Sequence, residues 1–230
     1  MLDRKNICAI MSTLSSILIV LTIMLTSIEI VSFDKNFYSR QYEKNNTAQL
    51  VGVTKDELLE ITDELLLYLR DRREDLNVMY SRGGNVFGDR EIDHMKDVKL
   101  LFLYGFKLRN IAFFLIVVSI VLMSIIYPKL WIKYLSFAFI WVSAVFLVLT
   151  ILIGIGIVVD FDLVWDKFHQ IFFNNDLWLL DPDTDVLIMM MPGIFFINLI
   201  KEFATTFLIT IGAMLILSCY TYKKYSQKTN

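Results

Sequence analysis

Long runs without a charged residue alternate along this chain with stretches in which apolar positions recur every three or four residues. Four such runs, 7–28, 110–128, 134–159 and 203–222, each hold about the 20 residues that an α-helix needs to cross a bilayer. They predict spans at about 7–30, 109–128, 132–159 and 202–222, and so an all-α integral membrane protein with four transmembrane helices. The remaining sequence divides into two mostly helical segments, about 31–108 and 160–201, which with the spans form a single membrane domain over 1–230. The first run is longer than the core of a secretory signal and no small-x-small cleavage site follows it, so it reads as a retained span.

Within 31–108, Thr54-Lys55-Asp56-Glu57 has the form of a capping box. Leu58, Ile61, Leu65, Leu66 and Leu69 then give one apolar helical stripe. Arg82-Gly83-Gly84-Asn85 marks a turn. After it, REIDHMKDVKLLFLYGF predicts a second amphipathic helix, with Ile92, Met95, Val98 and Leu101 or Phe102 on one face, lying along the membrane surface before the second span begins. In the second segment, a helix is expected to leave the third span. Asp181-Pro182 is expected to start another, with Asp as N-cap and Pro at the first helical position. The apolar stretch 186–200 is 15 residues long and is interrupted by Pro192-Gly193, so it is expected to be interfacial or re-entrant.

Orientation follows from Lys and Arg close to the span ends. Arg4, Lys5, Lys129, Lys133, Lys223, Lys224 and Lys228 gather on one side with only Asp3 opposing, which predicts that both termini are cytoplasmic and that both long segments face outward.

Composition supports a membrane protein: 56% of the 230 residues are hydrophobic and the mean hydropathy is +0.57, against about 45–50% apolar residues in soluble domains. A net charge of −2 gives no basis for nucleic-acid binding. Cys8 and Cys219, at the ends of apolar runs, suggest neither a disulfide framework nor a metal knuckle. No ionisable residue sits at mid-depth in any span, which argues against an ion or proton path.

The candidate chemistry lies in the outer segments. The stretch from Asp160 to Pro192, DFDLVWDKFHQIFFNNDLWLLDPDTDVLIMMMP, mixes Trp and Phe with Asp and Asn around His169. His94 is the chain's other histidine. Asp97 follows His94 by three residues and Asp166 precedes His169 by three, so in a helix each carboxylate is placed to orient its imidazole. Polar interface residues with surface ion pairs account for the same pattern. A zinc set of His94, His169 and Glu91 lacks any H-E-x-x-H spacing. Asp181, Asp183 and Asp185 fail as an EF-hand, because Val186 and Pro192 stand where the turn Gly and the ligand Glu belong. No G-x-S-x-G elbow is present. Acyl chemistry here would therefore use imidazole acid/base catalysis with a nucleophile from the substrate.

The runs FHQIFFNNDLWLLDPDTDVLIMMMPGIFF and EIDHMKDVK, with four spans in this order, resemble the Lit family of bacterial lipoprotein intramolecular transacylases over nearly the whole chain. The resemblance implies transfer of the sn-2 acyl chain of a diacylglyceryl-cysteine to the α-amino group of the same cysteine, giving a lyso-form lipoprotein. It implies two catalytic histidines, at His94 and His169, and as partners a diacylated lipoprotein and membrane lipids; no cofactor or metal is expected. Asp97 and Asp166 would orient the imidazoles, with Asn174, Asn175, Trp178 and Tyr104 as supporting residues and Phe172, Phe173 and Trp178 as walls for acyl chains. The rival readings are a lipid-binding or envelope-sensing scaffold, for which the histidines are dispensable, and a lipid hydrolase in which they activate water.

Overall fold

The structure is a computed structural model that describes residues 3–227; Lys228, counted above among the basic span ends, lies outside them. Among the described residues the chain forms nine α-helices and no strand: α1 (Arg4–Ser32), α2 (Lys35–Asn45), α3 (Thr47–Val51), α4 (Lys55–Leu69), α5 (Asp89–Ile126), α6 (Trp131–Val159), α7 (Phe161–Phe172), α8 (Val186–Met190) and α9 (Gly193–Ser226). Four of these, α1, α5, α6 and α9, are long and apolar enough to cross a membrane. Many of their large apolar side chains, among them Ile125, Trp141 and Ile216, are exposed. A hydrocarbon solvent accepts such a surface, whereas water penalises it.

The helices fall into two compact units. One takes the chain up to Ile28, Lys107–Val159, and the chain from Phe203 onward. It packs around Val20, Phe139, Phe207 and Ile211. Short polar contacts tie its helices together: Ser15 Oγ to Ser119 Oγ at 2.7 Å, and Ser136 Oγ to Thr221 Oγ1 at 2.7 Å.

The other unit comprises Glu29–Phe106 and Asp160–Glu202 and holds the larger core. Thr54 caps α4 by accepting a hydrogen bond from the Glu57 amide at 3.1 Å. The expected stripe of Leu58, Ile61, Leu65, Leu66 and Leu69 is buried along its whole length. It packs with Phe37, Leu76, Met190 and Phe195 in one cluster. The turn expected at Arg82-Gly83-Gly84-Asn85 brings Met79 and Asn85 into an isolated antiparallel bridge. Gly83 and Gly84 have φ of 86° and 93° there, a region that favours glycine.

Two local expectations are corrected. The amphipathic stretch after residue 89 is not a separate surface helix but the head of the 38-residue α5. Nothing between Asp89 and the apolar run stops the helix: no proline intervenes, and the single Gly105 costs only about 1 kcal/mol, less than is needed to end a helix that is already propagating. Asp181-Pro182 opens a turn and not a helix. Asp181 Oδ1 accepts from the Asp183 amide at 2.9 Å, and Asp185 Oδ2 accepts from the Asp181 amide at 2.7 Å. Short aspartate side chains compete in this way for backbone N–H groups that a helix start would otherwise use. The helix begins later, at Val186, and is broken again at Met191-Pro192. The rest of 186–200 is the first part of α9.

Candidate active site

Asp160 caps α7, its carboxylate accepting from the Leu163 amide at 2.9 Å. From that start, Phe161, Trp165 and His169 fall four residues apart on one helical face. Phe161 and Trp165 stack at 5.6 Å, and Trp165 packs on Phe196 of α9 at 4.3 Å. The face that carries His169 is therefore the packed one, and His169 is only 4% exposed. On α5, Arg90, His94 and Asp97 follow the same logic at i, i+4 and i+7 and share a face. His94 is 7% exposed.

These two faces meet. The centroids of the His94 and His169 rings are 6.1 Å apart. Phe173 edges onto His94 at 5.3 Å and lies 5.6 Å from His169, so one phenyl ring contacts both imidazoles. Trp165 stands edge-on to His169 at 4.4 Å, and Trp178 stacks on it at 4.6 Å with an interplanar angle of 23°. His169 Nδ1 lies 2.8 Å from the Trp165 carbonyl oxygen. A carbonyl can only accept, so Nδ1 carries the proton and Nε2 of the neutral ring holds the free lone pair. His94 Nδ1 is buried without a hydrogen-bond partner.

Burial favours the neutral form of both imidazoles. Burial pulls His94 from the usual 6.5 down to about 4; the neighbouring His169 acts in the same direction, and Asp97 opposes them. Burial also lowers His169, against the Trp165 hydrogen bond and the charge of Asp166.

The supporting residues are placed as follows by the packing around the histidines. Asp97 accepts a hydrogen bond not from His94 but from Asn175 Nδ2, at 2.8 Å. Asp166 is exposed and acts on His169 only through space, because the backbone of Trp165 already holds Nδ1. Asn174 is exposed, and Tyr104 is 68% exposed and about 15 Å along α5 from His94. Phe173 and Trp178 lie against the histidines, while Phe172 is 51% exposed. Glu91 is buried and braces the site: its carboxylate accepts from the Gly88 amide and, across to α8, from the Leu187 amide, both at 2.6 Å. With both oxygens engaged, it is not disposed to bind a metal. Among the described residues, no group of three or more His, Cys, Asp or Glu side chains is placed to hold one.

Two contributors, Arg90 and Trp165, are not among the residues that the sequence singles out. Arg90 donates to the Asp176 carbonyl, with the Asp176 carboxylate 3.7 Å away. Its i−4 spacing from His94 was the available clue. Trp165 was visible only as one aromatic among many.

A family model described as lipoprotein intramolecular transacylase Lit matches residues 13–196, which include both histidines. The fold is shared with an in meso structure of the membrane integral lipoprotein intramolecular transacylase Lit from Bacillus cereus, at 21% identity, 97% coverage of each chain and a TM-score of 0.73. It is also shared with a histidine-to-alanine variant of that protein, at 20% identity, 96% coverage of each chain and a TM-score of 0.74. A histidine-to-arginine variant matches at 19% identity, over 96% of this chain and 95% of that one, with a TM-score of 0.73. No curated protein matches the chain.

Proposed function

We propose, because the chain belongs to the lipoprotein intramolecular transacylase (Lit) family, that it moves the sn-2 acyl chain of a diacylglyceryl-cysteine onto the α-amino group of the same cysteine. The protein is a multi-pass membrane acyltransferase of that family. In our reading both termini are cytoplasmic and the site faces the outer leaflet, with the spans and the two outer segments forming one membrane domain. The basic residues Arg4, Lys5, Lys129, Lys133, Lys223 and Lys224 at one set of span ends support that orientation.

The observation that carries the proposal is the pair of buried, neutral imidazoles at 6.1 Å, one with its tautomer set by a backbone carbonyl. His169 Nε2 is the base. It takes a proton from the substrate amine as the nitrogen attacks the sn-2 ester carbonyl. His94, held neutral, donates a hydrogen bond to the tetrahedral oxyanion. When that intermediate collapses, the ester C–O bond breaks, the amide C–N bond remains, and the proton on His169 passes to the sn-2 oxygen. Atoms balance without water or an enzyme nucleophile. The amine and ester belong to one molecule, so the enzyme's main task is orientation, which can contribute about 7–11 kcal/mol toward the barrier. A phenyl and two indole rings around the imidazoles exclude water that would otherwise compete with the amine.

The test is expression in a host lacking the activity, with a diacylglyceryl reporter lipoprotein and mass spectrometry of its N-terminal peptide. The expected product is the N-acyl lyso form. His94→Ala and His169→Ala should each lower conversion at least ~100-fold at unchanged protein level. Release of free fatty acid without N-acylation would show a hydrolase. Full activity of either variant would remove that histidine from the mechanism.

A further inference from the structure

Asp97 looked in sequence like a partner for His94, yet its carboxylate holds Asn175, 78 residues away. Asn175 turns three of its polar groups to one purpose. Its Nδ2 reaches Asp97, its Oδ1 accepts from the Leu177 amide at 3.1 Å, and its backbone carbonyl accepts from Trp178 Nε1 at 2.9 Å. The indole so held lies flat on His169. We infer that Asn175, anchored by Asp97, is a positioning residue that fixes the Trp178 indole on His169 and thereby aims Nε2.

The physical reason lies in the freedoms of the imidazole. The hydrogen bond from Nδ1 to the Trp165 carbonyl sets the tautomer but leaves the ring able to rock about the Nδ1···O axis. That rocking sweeps Nε2, the atom opposite. A flat indole at 4.6 Å blocks it. The indole is itself on a loop, 173–180, with no regular secondary structure, so it needs an anchor to a helix. Asp97 provides one, and Arg90, seven residues back on the same face of α5, provides a second through Asp176. His94 sits between the two anchors, so the clamp also sets the spacing of the two rings. Asn suits position 175 better than its neighbours in chemistry. Asp would set a second carboxylate against Asp97, and Ala would release both the loop turn and the anchor.

The inference rests on the reading of His169 as the base, and its test separates the two. The full chain in micelles is labelled with 13C,15N-histidine; having two histidines, it gives two sets of ring signals, each assigned by its own His→Ala variant. In the wild type the His169 ring protons should be shifted upfield by the stacked indole. Asn175→Ala and Asp97→Ala should each move them downfield, leave the helix content measured by circular dichroism unchanged as a control for folding, and lower reporter conversion about 10- to 100-fold, the scale of a misplacement of about 1 Å. The double variant should lose no more than Asn175→Ala alone. Asp97→Asn keeps an acceptor for Asn175 Nδ2 and should restore both the spectrum and conversion. The inference is overturned if Asn175→Ala leaves the His169 signals unmoved. It is equally overturned if Asp97→Asn is as impaired as Asp97→Ala, which would mean that the charge of Asp97, and not its hold on Asn175, is what the site requires. If the wild type converts no reporter, the catalytic reading fails, and the spectra alone decide the positioning role.

Discussion

The two histidines give the folded chain a defined response to acid. His94 is 7% exposed, its Nδ1 has no partner, and its pKa is drawn from 6.5 to about 4 by burial, with His169 adding to the effect and Asp97 opposing it. A folded-state pKa below the unfolded value means that stability is full above the unfolded pKa and is lost as pH falls toward the folded one. The whole difference amounts to about 3 kcal/mol. Between pH of about 7.5 and about 5, roughly 2 kcal/mol of it should already be gone, while most carboxylates remain ionised. For a chain of this length, that corresponds to a fall of roughly 4–8 °C in the unfolding midpoint. His169, also depressed by burial, contributes in the same sense. Thermal unfolding in micelles at the two pH values, for the wild type and His94→Gln, isolates the His94 part, because Gln fills similar space and does not titrate. The wild type should lose several degrees more than the variant. Histidine NMR supplies the second readout: the His94 signals should titrate well below 6.5. A midpoint at or above 6.5, or an equal fall in both proteins, would refute the claim that burial holds His94 neutral.

Two further outcomes follow from the packing around the site. Glu91→Ala strands the Gly88 and Leu187 amides that its carboxylate satisfies and should cost about 2–4 kcal/mol. Glu91→Gln keeps one acceptor oxygen and should cost about half as much, and thermal unfolding that gave the reverse order would dismiss the brace between α5 and α8. Phe195 is fully buried and packs on Phe37 at 5.2 Å and Tyr38 at 5.1 Å. Phe195→Ala should therefore lower stability by about 3–5 kcal/mol. Its neighbour Phe196 supports Trp165, so reporter conversion should fall as well. A stable, fully active variant would show that this part of the core does not hold the site.

Much of this protein could be read locally. A run of about 20 uncharged residues has few options other than a membrane helix. A leucine stripe behind a capping threonine forms the same helix wherever it is placed, and α4 is the helix that its spacing predicts. The resemblance in 91–99 and 168–196 marked both histidines. Tertiary structure decided the matters in which one group has several partners within reach. Asp97 is near enough to His94 in sequence to be its partner, but packing brings Asn175 to it, and a directed amide N–H is a better donor for that carboxylate than an imidazole one turn away. Asp181 could have capped a helix, yet its own turn supplied backbone amides first. Likewise, Trp165 offered His169 a carbonyl on its own helix before Asp166 could compete. Helical periodicity is encoded within a few residues, whereas the meeting of His94 and His169 across 75 positions depends on the packing of α5, α7 and the loop between α7 and α8. That packing is settled by the summed burial of side chains such as Phe173, Trp165 and Phe196, and no single stretch of the sequence contains it.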